Sequence, residues 1–171
     1  TLVGIMQSTM DNPTTAVNKS DLTRIVTIDL ETKKVKQYLY KQEGGAKAYS
    51  NSAITALSNT SFLVLERDGD FYRDNPSAFK RVYKIDLRNA TNLEDIAETA
   101  QIKQDAKLGL TIDGQTLEQY VLAKGWDGLK TQGILPPTKT FVLDMIEKVK
   151  FPHDKMEGLW LIDDKRLGLI N

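Results

Sequence analysis

No cysteine occurs anywhere in the 171 residues, which excludes disulfides, thiolate nucleophiles and Cys-ligated zinc. It does not settle a redox compartment. Histidine is nearly as scarce, with His153 alone in "FPHDK". A Ser-His-Asp triad would have to use that residue, and no G-x-S-x-G elbow is present. Nucleophilic serine catalysis is therefore disfavoured, and His153 reads as an exposed loop residue. Charge of one sign is also missing. Lys plus Arg equals Asp plus Glu at 23 each, which argues against the basic footprint of a general nucleic-acid binder. Long apolar runs are absent, so no transmembrane segment is expected. No signal peptide is visible either, and the opening on Thr1 is read as a processed, trimmed or excised piece of something longer.

What is present is mostly short strands. "LVGIMQ" (2–7), "RIVTID" (24–29) and "VKQYLY" (35–40) are apolar or alternating runs, the last two joined by the polar turn "DLETKK". "SAITAL" (52–57), the turn "SNTS", "FLVLE" (62–66) and "RVYKIDL" (81–87) repeat the same logic. "RIVTIDL" and "RVYKIDL" start roughly 57 residues apart, an interval typical of repeat architectures. "MEGLWLIDDKRLGLIN" starts a third unit, with Asp163-Asp164-Lys165 as its hairpin turn. Residues 41–52, "KQEGGAKAYSNS", read as a flexible loop.

The period changes between the second and third units. Asn92 is expected to cap a short helix with Leu93, Ile96, Ala97 and Ala100 along one face. Thr116 and Gln119 form a capping box for "LEQYVLAK", which Gly125 should terminate. Pro136-Pro137 closes this helical insertion, which spans about 92–137. "KTFVLDMIEKVKF" carries both periods, and a strand is expected at its start. The pattern predicts a mainly all-β chain: part of a β-propeller built from four-stranded antiparallel blades, with a small α+β domain as the alternative. At about 40–45 residues per blade the chain holds roughly three blades, fewer than the four to eight of closed propellers. The remainder would then come from missing sequence or another chain.

Three stretches carry a resemblance. "LVLERDGDF", "RVYKIDLRNATNL" and "KMEGLWLIDDKRLGLIN", with "QSTMDNP" (7–13) before them, resemble successive landmarks of the esterase-like phytase domain, a β-propeller family of bacterial and plant proteins. The likeness covers most of residues 50–171. It implies a single phytase-like domain, or a fragment of one, over residues 1–171. It also implies metal-assisted phosphoester hydrolysis, a small-molecule phosphoester as partner, and a secreted, periplasmic or cell-surface location. Gln7 and Ala53 stand where the family commonly carries acidic residues, and Asn171 falls where its acidic tail begins.

The candidate chemistry lies in carboxylates at strand ends. Glu66 closes an apolar strand and Glu157 precedes another. Presented from two blades they could bind Ca²⁺, which takes several hard oxygen ligands, or divide acid and base roles. Glu66 alternatively pairs with Arg67 or Arg81 and knits blades together. Asp68, in "DGD" with Asp70, is a further metal-ligand candidate, or simply part of a solvated turn. Arg67 and Arg81 are the candidates for holding phosphate, with Arg73 and Lys80 nearby in the same charged stretch. The rival to hydrolysis is a non-catalytic exported propeller that binds a ligand across its channel face. Trp126 is expected to pack the insertion onto the body, and Trp160 to be strand core.

Overall fold

The computed structural model describes residues 1–44 and 49–171. In chain order its strands are β1 (Leu2–Ile5), β2 (Leu22–Ile28), β3 (Val35–Lys41), β4 (Ser50–Ala56), β5 (Ser61–Arg67), β6 (Lys80–Asp86), β7 (Ile102–Asp105), β8 (Gly109–Ile112), β9 (Gln115–Thr116), β10 (Thr138–Asp144), β11 (Gly158–Leu161) and β12 (Leu167–Ile170). Two helices, α1 (Leu117–Thr131) and α2 (Met145–Val149), and two short 3-10 turns complete them. Strand outweighs helix, 38% against 16%, so the chain is mainly β. No closed ring of sheets is present among the described residues. The loop expected over 41–52 starts on the last residue of β3, ends within β4, and includes residues 45–48, which lie outside the described residues.

The chain divides into two compact units, residues 1–48 with 89–136, and residues 49–88 with 137–171. The boundary at Pro136-Pro137 is where the sequence closes the insertion. The unfavourable α conformation before a proline, repeated twice, stops any helix from running through it.

In the first unit β1, β2 and β3 form an antiparallel sheet in that order, with "DLETKK" as the β2–β3 hairpin. Asp29 Oδ1 holds that turn by accepting from the N–H groups of Glu31 and Thr32. The region expected to be a helical insertion is instead half sheet. Asn92 caps only one 3-10 turn, Leu93–Asp95, and β7, β8 and β9 follow as a second antiparallel sheet. The missed signal was "DG". Asp113 and Gly114, with φ of 51° and 73°, join β8 to β9 as a two-residue hairpin of the kind Asp-Gly favours.

The capping box of α1 forms as its residues dictate. Thr116 Oγ1 accepts from Gln119 N–H, and Gln119 Oε1 accepts from Thr116 N–H at 3.0 Å. Gly125 interrupts the helix at φ 69°, but helical turns resume beyond it as far as Thr131. Leu117, Tyr120, Val121 and Leu129 of α1 join Leu22, Leu39, Leu110 and Ile112 in one core. Trp126 packs on that core and its Nε1–H donates to Asp21 at 2.8 Å.

In the second unit the four-stranded sheet runs β10-β6-β5-β4, all antiparallel. β5 is apolar and buried along nearly its whole length, as its sequence "SFLVLER" requires of a central strand. Leu63, Leu65 and Val82 pack with Met145, Met156 and Leu159 on one side of the sheet. "KTFVLDMIEKVKF" contains both elements that its two periods suggested, β10 followed by α2. β11 and β12 pair as the expected hairpin. Trp160, expected in the core, is 48% exposed; it instead lies over the bare backbone of Gly168, its cross-strand partner.

Candidate functional site

The candidate residues gather at one end of the four-stranded sheet. Glu66 pairs in register with Arg81 on one side and Asn51 on the other, while Arg67 faces Lys80. Arg81 in turn faces Asp144 on β10. Because side chains alternate along a strand, Glu66 and Arg67 leave opposite faces of the sheet. That alternation divides the cluster in two.

On the first face Glu66 is fully buried and accepts from Lys139 Nζ at 2.5 Å. The sequence suggested Arg67 or Arg81 as a pairing partner; Lys139, 73 residues away, forms the ion pair with it. Lys139 Nζ also lies 4.2 Å from the centre of the Tyr83 ring, a cation–π contact. Arg81 Nε donates to Asp144 at 2.8 Å, and its guanidinium lies 4.7 Å from the Phe79 ring. Phe79 itself stacks on Tyr49 with centroids 4.0 Å apart.

Asp144 is also the N-cap of α2, accepting from the N–H groups of Ile146 and Glu147. Burial pushes its carboxyl upward, but the Arg81 bond and those two backbone donors outweigh it and hold it below the ordinary carboxylate value. A depressed folded-state value contributes stability above the unfolded value, lost as pH falls through the folded one. Asp144→Asn keeps a cap acceptor and removes the charge. We expect a loss of about 1 kcal/mol at pH 7 and a flatter decline of melting temperature below pH 4, read by thermal unfolding across pH.

On the opposite face Arg67 and Glu157 meet. Arg67 Nη2 donates to Glu157 Oε1 at 2.6 Å, and Arg67 Nε donates to Ser52 Oγ at 2.9 Å. Ser52 is the extra residue of a bulge between Asn51 and Ala53, a device that re-aims a side chain out of the ladder. The Thr55 hydroxyl donates to the Leu159 carbonyl, which ties the start of β11 to β4 and sets Glu157 beside Arg67. The Arg67 side chain is 7% exposed and that of Glu157 is 47% exposed. Glu157 Oε2 has no partner among the described residues.

Asp68 forms a third pairing. Its carboxylate accepts from Lys80 Nζ and, at 2.6 Å, from Phe79 N–H. Lys80 is fully buried and also donates to the Asp70 carbonyl at 3.0 Å. What the sequence offered as a solvated turn is thus tied down by a buried ammonium. Arg73 pairs with its neighbour Asp74 on the surface and lies 5.0 Å from the centre of the Phe71 ring. His153 is exposed, its ring edge-on to Phe151.

Glu66, Asp68 and Glu157 therefore do not converge. Each meets a different cation of the protein, and no group of three His, Cys, Asp or Glu side chains suited to a metal occurs among the described residues. Ca²⁺ takes six to eight oxygens, so these three carboxylates do not make one protein-only calcium cage. Ser52, Lys139 and Asp144 had no signal in the sequence as members of this cluster, since nothing local distinguishes them.

The family model for phytase-like domains, described as esterase-like activity of phytase, matches residues 1–171. This chain belongs to the phytase-like family. No curated protein and no solved structure matches it. For a phytase-like domain the informative feature is the asymmetry of the cluster. Glu66 is sealed beneath Lys139, whereas Glu157 is held by one oxygen and open at the other. No helix among the described residues is long and apolar enough to cross a membrane.

Proposed function

We propose that this phytase-like chain is a hydrolase domain acting on phosphoesters, with Glu157 as its acidic group and Arg67 as the residue that positions it. The observation carrying this is the open Oε2 of Glu157 beside a buried arginine whose Nε and Nη2 are already engaged. Glu157 takes the proton of an attacking water as the oxygen bonds to phosphorus, and the leaving alcohol departs with a proton from solvent. Arg67 has its donors committed and is a positioning residue. Arg81, on the other face of the sheet, takes no part.

Were a divalent cation such as Ca²⁺ to take part, Glu157 would be the residue to hold it. It would supply neutralisation of phosphate charge. A partial β-propeller, of which the four-stranded sheet is one blade, and an exported location complete the reading; both rest on the family resemblance.

Phosphate release from p-nitrophenyl phosphate, followed in Ca²⁺ and in EDTA, tests it. Glu157→Gln should lower turnover about 100-fold or more, the scale of losing a general base. Equal turnover in Glu157→Gln and wild type would end the proposal. A second reading, a non-catalytic binding module, is favoured by the ion pairs that already occupy Glu66, Asp68 and Glu157. No release from the wild type under any cation would select it.

A further inference from the structure

The first unit contains a cavity of about 210 Å³ whose wall includes Arg24, Lys107, Asn12, Gln37, Glu94 and Gln104, completed by leucine side chains. All of these residues belong to that unit. Arg24 is only 8% exposed, and its Nη1 donates to Glu118 and to Met10 Sδ. Its Nε and Nη2 have no partner among the described residues, although the side chain lines the cavity. Those two N–H groups are the flat edge of the guanidinium, which matches two oxygens of a carboxylate or phosphate.

Three further features bear on the site. Lys107 is exposed on the cavity wall, where its charge also acts on the Asp105 carboxylate. Glu94, the acidic residue in the wall, accepts from Gln37 Nε2 at 2.6 Å and keeps its negative charge, so an anion is placed by Arg24 and Lys107 rather than beside Glu94. Glu118, which balances Arg24, is fully buried with Oε2 unpartnered, so the arginine is held from behind by a single carboxylate oxygen. An arginine edge that faces an open cavity without a protein partner is met by water, which a bound oxyanion would replace with two charge-assisted hydrogen bonds.

We propose that this cavity binds a small oxyanion-bearing metabolite, a carboxylate or phosphate, side-on to Arg24 with Lys107 closing on it from the solvent side. The site is smaller than the roughly 300–1,000 Å³ of drug-sized pockets, so the ligand is small. The proposal is independent of the role of Glu157.

The full chain is titrated with inorganic phosphate and with succinate, each against sodium chloride of matched ionic strength, by calorimetry and thermal unfolding. At least one anion should raise the melting temperature in a concentration-dependent way. Response to phosphate alone, to succinate alone or to both identifies the preferred oxyanion. Lys107→Gln, at an exposed position, should melt close to the wild type without anion and bind about tenfold more weakly, the scale of one charge-assisted hydrogen bond. Arg24→Gln alone would strand Glu118, so the double variant Arg24→Gln/Glu118→Gln is used, and it should show no anion response. Neither anion exceeding chloride, or Lys107→Gln binding as tightly as wild type, would overturn the proposal.

Discussion

Lys80→Met should destabilise the protein by about 3–5 kcal/mol, the scale of breaking a buried ion pair from one side. Lys80 is fully buried, and its ammonium meets the Asp68 carboxylate and the Asp70 carbonyl. Methionine matches the stem in length but leaves Asp68, whose side chain is 15% exposed, without its countercharge. For a domain of this size the loss corresponds to roughly 10 °C in melting temperature. Asp68→Asn/Lys80→Met should recover much of it, because the stranded charge, rather than the lost attraction, makes the largest contribution. A double variant no more stable than Lys80→Met would show that the ammonium works through packing instead. Calorimetric unfolding of wild type, both single variants and the double variant decides between these outcomes.

Glu66→Gln should cost about 2–3 kcal/mol, somewhat less than a fully enclosed pair, because Lys139 keeps 16% of its side chain exposed. The contrast with Glu157→Gln is the informative part. Glu66 is sealed and its partner is within the sheet, so its neutralisation should lower the melting temperature while phosphate release per folded molecule stays unchanged. Glu157 is half exposed and joined to Arg67 by one oxygen, so its neutralisation should lower turnover with a small change in stability. Glu66→Gln abolishing turnover while the protein remains folded would return Glu66 to the reacting centre. Melting curves and rates measured on the same preparations separate the two effects.

Much of the local structure could be read from residues alone, because its causes are local. Alternation in "RIVTID", "VKQYLY" and "RVYKIDL" marked β2, β3 and β6 to within a residue or two. Thr116 and Gln119 sit three apart, which is all a capping box needs. The order of "LVLERDGDF", "RVYKIDL" and "MEGLWL" carried the family, since motif order survives where single motifs are weak. Even the missed sheet of β7, β8 and β9 had its mark in Asp113-Gly114, overlooked because its strands are four residues or shorter and largely polar.

The pairings of charges were beyond that reach. "LER" places a carboxylate and a guanidinium side by side, but strand alternation sends them to opposite faces, so adjacency in sequence separates them in space. Their partners, Lys139 for Glu66 and Glu157 for Arg67, lie 73 and 90 residues along the chain. The bulge at Ser52 and the approach of β11 to β4 bring the second pair together, and neither leaves a local pattern. The sequence by itself determined short strands, hairpins, one capped helix and membership of the phytase-like family. Only the tertiary structure decided which carboxylates are neutralised and which oxygen stays open, because long-range register and burial select the partner of each charge.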